Sequence, residues 1–211
     1  MNLHAVYSEF RARLSGFGRV VIAGGAVRDT LLGKSPKDWD IFVLPQGEWD
    51  FTATKDGILP ILADLSKVKP VVDWHNSEPF LVASVRWQDA EVQVLVNPSK
   101  TTTALVGTFD WNVCLFGFDG EFFQGEPLEN IAVGKSLRLQ KVTFPLSTLR
   151  RGFRFSERFK MKLERDDVLT LCRTIAENAD KKNNVGPQGN EPDMPALTAN
   201  SLVDDKEAAS A

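Results

Sequence analysis

Two aspartates separated by one residue, Asp38 and Asp40, open a short apolar run that is typical of a β-strand. Residues two apart on a strand point to the same face, so both carboxylates would project together while Trp39 and Ile41 point to the other side. Two adjacent carboxylates repel one another unless a cation lies between them, and Mg²⁺ prefers such oxygen ligands. The pair therefore predicts a metal site. The alternative is a solvent-facing acidic pair on an edge strand.

Two glycines, Gly24 and Gly25, stand between a short apolar run and a segment with the helical spacing of apolar residues. Backbone N–H groups at the start of a helix can face an anion, and the missing side chains let a phosphate approach closely. Such a pair more often serves only as a tight turn. Upstream of a carboxylate pair, however, it predicts a phosphoryl-transfer site with Mg²⁺ as the cofactor.

The run from Gly24 to Ile41, GGAVRDTLLGKSPKDWDI, resembles without a gap the signature GGxVRDxLLGxxxxDxD of the class II poly(A) polymerase and CCA-adding tRNA nucleotidyltransferase family. The resemblance implies a nucleotidyltransferase head with the polymerase β-like fold. It also implies that the two glycines hold the triphosphate of ATP or CTP, that Arg28 pairs with this triphosphate, and that both aspartates bind Mg²⁺. Asp29 would have a structural role.

Two later blocks extend the likeness less completely. The run from Ala90 to Leu95, AEVQVL, resembles a family strand with a third carboxylate, which implies a catalytic role for Glu91; an acid opening an exposed strand is the alternative. The stretch from Val106 to Cys114 stands where the family has RRDFTINAL. It retains Asn112, a nucleotide-binding candidate, but neither of the two arginines nor the aspartate of that block. Asp110 falls two positions after the place of the family aspartate and is not assigned as a ligand.

The segment from Phe144 to Arg158 corresponds to the family block EDPLRxLRAxRFAAR. Aligned through the Arg-Phe pair, Arg151 falls on an arginine that contacts the nucleotide in the family. The charged, base-reading positions of the family block are occupied here by Phe144, Pro145 and Thr148. A reader that forms hydrogen bonds discriminates strongly between bases, so nucleotide choice is expected to be relaxed or supplied from elsewhere, with Arg150 as one source.

Charge is distributed unevenly along the 211 residues, whose formal net charge is -3. From Asp180 onward six acidic residues face three lysines, so this tail accounts for the whole excess. Between Arg150 and Arg165 seven cationic residues face two acids, a local excess that suits a polyanion. The RNA-binding candidates in this segment are Arg154, Arg158 and Lys160. The alternative is a solvated helix face.

The order of apolar patterns predicts an α/β protein with a mixed sheet and flanking helices. Helices are predicted over residues 5–14, after the two glycines, and over 58–65, 146–159 and 166–178. Strands are predicted over residues 20–23, 39–44, 71–74, 80–87 and 91–96, with a hairpin formed by 111–118 and 121–124. We predict a nucleotidyltransferase head over residues 1–143, a helical neck-like segment over 144–179 and a disordered acidic tail over 180–211.

The composition excludes several classes of protein. The sequence contains no run of about 18 to 20 apolar residues, so no membrane span is predicted. The N-terminal stretch is amphipathic, so no secretory signal is predicted. Cys114 and Cys172 are the two cysteines, each inside an apolar pattern that predicts burial. A disulfide framework is therefore not expected, and we predict a cytoplasmic location.

The leading functional hypothesis is template-independent transfer of nucleotides from an NTP to the 3′ end of an RNA, with tRNA as the favoured acceptor and two Mg²⁺ ions in catalysis. A second hypothesis keeps this chemistry with a small molecule or a protein as the acceptor, because the likeness covers only residues 18 to 160 and not the tRNA-gripping regions of full-length family members. A third is a non-catalytic RNA-binding module of the same fold. The sequence leaves the oligomeric state open.

Overall fold

A computed structural model describes the backbone of residues 2–66 and 80–184. In chain order its helices are α1 (Leu3–Leu14), α2 (Gly25–Leu31), α3 (Phe51–Ser66), α4 (Thr102–Val106), α5 (Leu128–Ala132), α6 (Pro145–Phe159) and α7 (Arg165–Asn184). Its strands are β1 (Arg19–Ala23), β2 (Asp38–Leu44), β3 (Phe80–Trp87), β4 (Ala90–Val96), β5 (Phe116–Phe118) and β6 (Phe122–Gln124). Residues 1–175 form one unit and 176–211 another, and the site described below lies in the first.

The strands form one sheet in the order β3-β4-β2-β1-β5-β6. Strand β2 pairs in parallel with β4 and antiparallel with β1, and the other neighbours pair antiparallel. Gln88 and Asp89 join β3 to β4 with positive φ angles of 47° and 65°, as the turn of a two-residue hairpin requires. The predicted mixed α/β architecture is confirmed.

The sheet buries its two faces against different partners, and β2 shows why. Trp39 and Ile41 face the larger apolar cluster, which includes side chains of α1 and α3. Phe42 faces a smaller cluster that contains Leu105 and Val106 of α4. Because side chains alternate along a strand, Asp38 and Asp40 lie on the same face as Phe42. The helices that cover the main core therefore leave the carboxylate face open.

Three elements differ from the sequence prediction in their bounds. Helix α3 begins at Phe51 because the carboxylate of Asp50 accepts a hydrogen bond of 2.7 Å from the backbone N–H of Ala53, which is the geometry of an N-cap. Strand β5 begins only at Phe116, and residues 112–114 form a 3₁₀ turn instead of the first half of the predicted strand. Helix α7 continues past its predicted end to Asn184.

Some predictions fall on parts of the chain that the structure does not describe. The predicted strand at 71–74 and residues 185–211 of the predicted tail lie outside the described residues. The proposed divisions between head, neck-like segment and tail stay predictions. Of the two cysteines predicted to be buried, Cys114 is buried and Cys172 is exposed, because the latter lies on the outer side of α7. Among the described residues, no helix is long and apolar enough to cross a membrane.

Candidate active site

A cavity of about 600 Å³ lies on the open face of the sheet, bounded by β2, the turn before α2 and one side of α6. Its acidic lining residues are Asp29, Asp38, Asp40 and Asp110, and its cationic ones are Arg28, Lys37, Arg151, Arg154 and Arg158. Phe42 and Leu95 form an apolar part of the wall on the sheet. A cavity of this size and mixed charge suits a nucleotide-sized polar ligand.

Strand β2 brings Asp38 and Asp40 to this cavity as the sequence predicts. Asp38 is exposed and Asp40 is half-buried, while Trp39 between them is buried in the main core on the other side of the sheet. The central position of β2 fixes the pair, since Asp40 lies opposite Ala23 of β1 and opposite Gln93 of β4. The pair is thus not on an edge strand.

The surroundings of Asp40 make it a costly place for a lone negative charge. The pKa of the Asp40 carboxyl is raised to about 7, chiefly by burial and also by the neighbouring charges of Asp38 and Glu91, while Arg151 opposes this rise. A divalent cation would relieve this penalty, and the donor set of two carboxylates beside a cavity fits Mg²⁺, which shares its ligand shell with water and substrate phosphates. Within residues 2–66 and 80–184, no group of three His, Cys, Asp or Glu side chains could hold a metal ion.

Glu91, the predicted third carboxylate, lies opposite Asp38 in the parallel pairing of β2 with β4, and so on the same face. It is exposed, and it is not among the residues that line the cavity. Its charge reaches Asp40, whose pKa it helps to raise. The structure therefore places Glu91 near the pair without joining it to a three-carboxylate cluster, and its catalytic role stays a prediction.

The turn of Gly24 and Gly25 lines the cavity next to the carboxylates. Gly24 has a φ of 80°, a conformation that side chains other than glycine rarely adopt, and its N–H donates to the carbonyl of Phe116 at 2.8 Å. A Cβ atom at Gly24 would lie 3.8 Å from a carboxylate oxygen of Asp40. A phosphate on this turn would consequently touch the carboxylate region as well.

Arg28 reaches the cavity from a buried position on α2. Its Nε donates to Asp29 at 2.9 Å and its Nη1 donates to the carbonyl of Val113 at 3.1 Å, and the guanidinium lies 4.6 Å from the ring centre of Phe159. Its Nη2 would lie 3.3 Å from a Cβ atom on Gly25, so this end faces the glycine turn. This Nη2 also pairs with Asp29 at 2.8 Å, so Arg28 is held rigidly beside the glycine turn.

Asp29 is a structural residue, as the sequence suggested, and its partners explain how. One carboxylate oxygen accepts from Arg28 and the other from Arg158 at 2.8 Å, and the aspartate is 3% exposed. This carboxylate connects α2 to α6. Arg158, predicted to bind RNA, therefore contributes part of its charge to an internal ion pair.

Arg151 projects from α6 into the cavity and is held there by Asp110. The Nη2 of Arg151 lies 2.5 Å from Asp110, which also accepts a hydrogen bond from the hydroxyl of Thr148. Arg151 lowers the pKa of Asp40 and is hydrogen-bonded to the thiol of Cys114. The predicted nucleotide-binding arginine thus stands beside the carboxylate pair. Burial raises the pKa of Cys114 to about 11, so that it remains a neutral thiol.

Helix α6 is docked by close packing on Trp111. The indole N–H of Trp111 donates to the carbonyl of Thr148 at 2.9 Å, and the ring is fully buried. Gly152 lets the helix approach, since a Cβ atom there would lie 2.5 Å from the indole ring. The position of Arg151 is therefore supported by the contacts of Thr148 and Gly152, which lie on either side of it along the helix.

The structure does not bring Asn112 into the cavity. Its side chain is fully buried, with Oδ1 accepting from the backbone N–H of Arg138 at 2.9 Å and Nδ2 donating to the carbonyl of Ser136 at 3.3 Å. Asn112 thus holds the segment before α6, and a direct contact with the nucleotide finds no support in this geometry.

The remaining cationic candidates separate into two groups. Arg154 lines the cavity, is exposed, and has no hydrogen-bond or ion-pair partner in the part of the chain that the structure describes. Lys160 caps the end of α6 in a left-handed conformation and does not line the cavity. Arg154 is therefore placed to meet a ligand within the cavity.

Several residues that line the cavity are not assigned by the sequence, and Asp110, Lys37 and Phe144 are the ones that bear on its chemistry. Asp110 has its role through Arg151, and only its shifted position within a family block marked it. Lys37 directly precedes Asp38 in the sequence, and its side chain lines the cavity next to the carboxylate pair. Phe144 departs from the family pattern, and it lines the cavity as an exposed ring.

The glycine turn and the carboxylate strand lie in a segment that matches a known family model. Residues 20–105 match the family model of the Poly A polymerase head domain. This segment is similar to the poly A polymerase head domain. The match covers the turn and Asp38, Asp40 and Glu91, and it ends before Asp110 and α6.

Solved structures show the same fold beyond the head-domain segment. A Thermotoga maritima CCA-adding enzyme complexed with tRNA_CCA matches with a TM-score of 0.55 and 21% identity, covering 89% of this chain and 45% of that one. A CCA-adding enzyme with CTP gives the same four values. A tRNA-processing enzyme in an apo form matches with a TM-score of 0.56 and 20% identity over 84% of this chain and 47% of that one.

The solved proteins are about twice as long as this chain and share little sequence with it. This chain spans about half the length of the solved proteins that it resembles, and the low identity makes the likeness one of fold. No curated protein matches the chain. The activity, substrates and partners of this chain are accordingly proposals.

Proposed function

We propose that this chain is a template-independent nucleotidyltransferase that adds nucleotides from an NTP to the 3′ end of an RNA. The observation that carries the proposal is the position of Asp38 and Asp40, side by side on the cavity face of β2 and next to the glycine turn. A site with two carboxylates and several arginines is complementary to a metal-bound triphosphate. The match of residues 20–105 to the Poly A polymerase head domain supports the same chemistry.

The metal that we propose is Mg²⁺, held by Asp38 and Asp40. When bound, two such ions supply positive charge that lowers the pKa of the attacking hydroxyl and offsets the charge of the leaving pyrophosphate. The raised pKa of Asp40 supports this assignment, because two ionised carboxylates at this position lack a sufficient counter-charge from the protein.

The protein's own residues bind and orient the substrate in this proposal. Gly24 and Gly25 admit the triphosphate, with the Nη2 end of Arg28 beside it. Arg151, oriented by Asp110, lies close enough to lower the pKa of Asp40, so it would contact the phosphates at the reacting end. A guanidinium held by a carboxylate loses little further entropy when it pairs with a phosphate.

We propose tRNA as the acceptor because solved proteins that share this fold include CCA-adding and tRNA-processing enzymes, one of them in complex with tRNA. Arg154 and Arg158 lie at the cavity and are exposed enough to meet the acceptor strand. Lys160, at the end of the same helix, is exposed and extends this basic surface. Both cysteines are free thiols, in keeping with our expectation of a cytoplasmic protein.

The test is a nucleotide incorporation assay with the full chain, Mg²⁺ and each labelled NTP. The acceptors are tRNA lacking its 3′ end, unrelated RNA and a protein mixture. We expect label on tRNA, and we expect Asp38→Asn and Asp40→Asn each to reduce it about 100-fold or more, because a preorganised charge at the reacting centre is removed. Glu48→Gln, which removes an exposed carboxylate outside the cavity, is the matched control and should keep full activity.

The outcomes separate the competing functions. Label on protein or on a small molecule would show that the same chemistry acts on another acceptor, and it would contradict the RNA assignment. RNA binding without pyrophosphate release, for any NTP and acceptor, would show a non-catalytic module of this fold and end the enzymatic proposal.

A further inference from the structure

Phe144 is an exposed aromatic ring in the cavity lining. It is 48% exposed and lines the cavity, and it has no aromatic partner among the residues that the structure describes. Phe144 also occupies the N-cap position of α6 without a side-chain cap hydrogen bond, where Ser, Thr, Asp or Asn is preferred. The ring therefore contributes little to the helix or the core, and its flat face is available to a ligand.

Three cavity-lining side chains follow one another along the side of α6 that faces the cavity. Phe144, Arg151 and Arg158 are seven residues apart in turn, so they share one side of the helix at intervals of about 10 Å. Arg158 pairs with Asp29, which lies on α2 next to the glycine turn and marks the phosphate end of the cavity. Phe144 lies at the opposite end of the same stripe, beyond Arg151, where the base of a nucleotide would extend from phosphates bound near Asp40.

The polar groups around Phe144 are few. Thr143, Ser147 and Thr148 line this part of the cavity, and the hydroxyl of Thr148 is already hydrogen-bonded to Asp110. Arg154, an exposed cationic side chain of the cavity lining, lies ten residues further along the helix, about 15 Å along its axis. The aromatic end thus presents a stacking surface and isolated hydroxyls, without the paired donors and acceptors that distinguish one base edge from another.

We propose that Phe144 stacks on the base of the bound nucleotide and that this stacking, instead of hydrogen bonds to the base edge, sets the nucleotide preference. The inference rests on the proposed function, since it assigns the base subsite of the same cavity. Every base has a flat face, so stacking tolerates all four and favours the larger purines. ATP and GTP should therefore bind alike, and both more tightly than CTP and UTP.

The test is equilibrium binding of the four NTPs and of inorganic triphosphate to the full chain in the presence of Mg²⁺. Wild-type protein should bind ATP and GTP within about threefold of each other and more tightly than inorganic triphosphate. Phe144→Ala should weaken ATP binding by about 10- to 100-fold and leave triphosphate binding unchanged, because the base loses its stacking partner. Phe144→Trp keeps an aromatic ring at this position and should bind ATP about as tightly as the wild type.

Two further variants make the result independent of folding. Phe144→Ser supplies the missing N-cap, so α6 should be retained while the stacking surface is lost, and its binding should match that of Phe144→Ala. Phe153→Ala removes an exposed ring from the same helix outside the cavity and should bind every NTP as the wild type does.

The two levels of proposal fail in different ways. If wild-type protein does not bind inorganic triphosphate, the proposed function is overturned and this inference with it. If triphosphate binds but Phe144→Ala and Phe144→Ser bind ATP as tightly as the wild type, the stacking inference alone is overturned. A difference of more than tenfold between ATP and GTP also overturns it, because such a difference requires reading of the base edge.

Discussion

Acidic side chains orient the guanidinium groups of the cavity. Asp29 accepts from both Arg28 and Arg158, and Asp110 accepts from Arg151. Asp29 and Asp110 are both less than one-tenth exposed, and burial raises the pKa of Asp110. A buried carboxylate that anchors an arginine restricts the arginine's conformations before any ligand binds, which preorganises the positive charge.

Removal of the charge of Asp110 should misplace Arg151 while leaving both residues close in shape to the native pair. We expect Asp110→Asn to lower kcat/KM for the NTP by about 10- to 100-fold, because small displacements of a positioning group have effects of this size. Steady-state incorporation kinetics measure the loss. An unchanged thermal unfolding midpoint would show that the fold is retained.

A double-mutant cycle distinguishes positioning from a direct role of Asp110. If Asp110 acts through Arg151, then adding Asp110→Asn to Arg151→Ala should cause no further loss of kcat/KM, since the shared interaction is already absent. Multiplicative losses in the double variant would contradict this role and point to a separate contact of Asp110 with the substrate.

At the scale of the element, α6 places the cavity-facing arginines through its packing on Trp111. The helix backbone approaches the indole ring closely at Gly152, and the indole N–H is bonded to the carbonyl of Thr148. The ring is fully buried and has no free direction in which to move. The glycine is thus required by its lack of a side chain, although glycine disfavours a helix by up to about 1 kcal/mol.

Gly152→Ala should therefore destabilise the protein despite its better helix propensity. A Cβ atom would lie 2.5 Å from the indole ring, and overpacking of this kind costs about 1 to 3 kcal/mol. Chemical denaturation measures the change in the free energy of unfolding. Gly16→Ala is the control, because a Cβ atom there meets nothing within 4 Å and should change stability by less than about 0.5 kcal/mol. A neutral or stabilising Gly152→Ala would contradict the docking role.

At the scale of the whole molecule, the carboxylate pair lowers the stability of the metal-free protein at neutral pH. The pKa of Asp40 is about 7 in the folded chain and 3.8 in its reference state. Between these values the folded state binds more protons than the unfolded state, so stability falls as pH rises through this window. Like many functional sites, this one holds a charge that folding alone disfavours.

Asp40→Asn should remove this dependence on pH. At pH 8, without metal, we expect the variant to be more stable than the wild type by about 1 to 3 kcal/mol, since one pKa unit corresponds to about 1.4 kcal/mol and partial exposure reduces the full value. Near pH 4 the two should be equal. Urea denaturation at both pH values measures the difference. Added Mg²⁺ should stabilise the wild type at pH 8 and leave Asp40→Asn unchanged, and a wild type that does not respond would contradict the metal assignment.

The sequence predicted elements that depend on local patterns more accurately than elements that depend on contacts between distant residues. Helices and strands with long apolar periodicity, such as α1, β2 and α6, were located correctly because the period reflects burial along one element. Helices α4 and α5, of five residues each, were not predicted because they are too short to display a period. The strand predicted from Trp111 was partly wrong because the side chain of Asn112 bonds to a segment more than twenty residues away.

The sequence alone determined the centre of the candidate site. One glycine turn and two aspartates on alternate positions of a strand are local features, so their spacing was enough to predict that Asp38 and Asp40 share a face. The tertiary structure decided which other residues join them. It placed Glu91 opposite Asp38 through the strand order, moved Asn112 away from the cavity, and set Arg151 beside Asp40 by docking α6. These placements depend on contacts between distant segments, which no local pattern of residues contains.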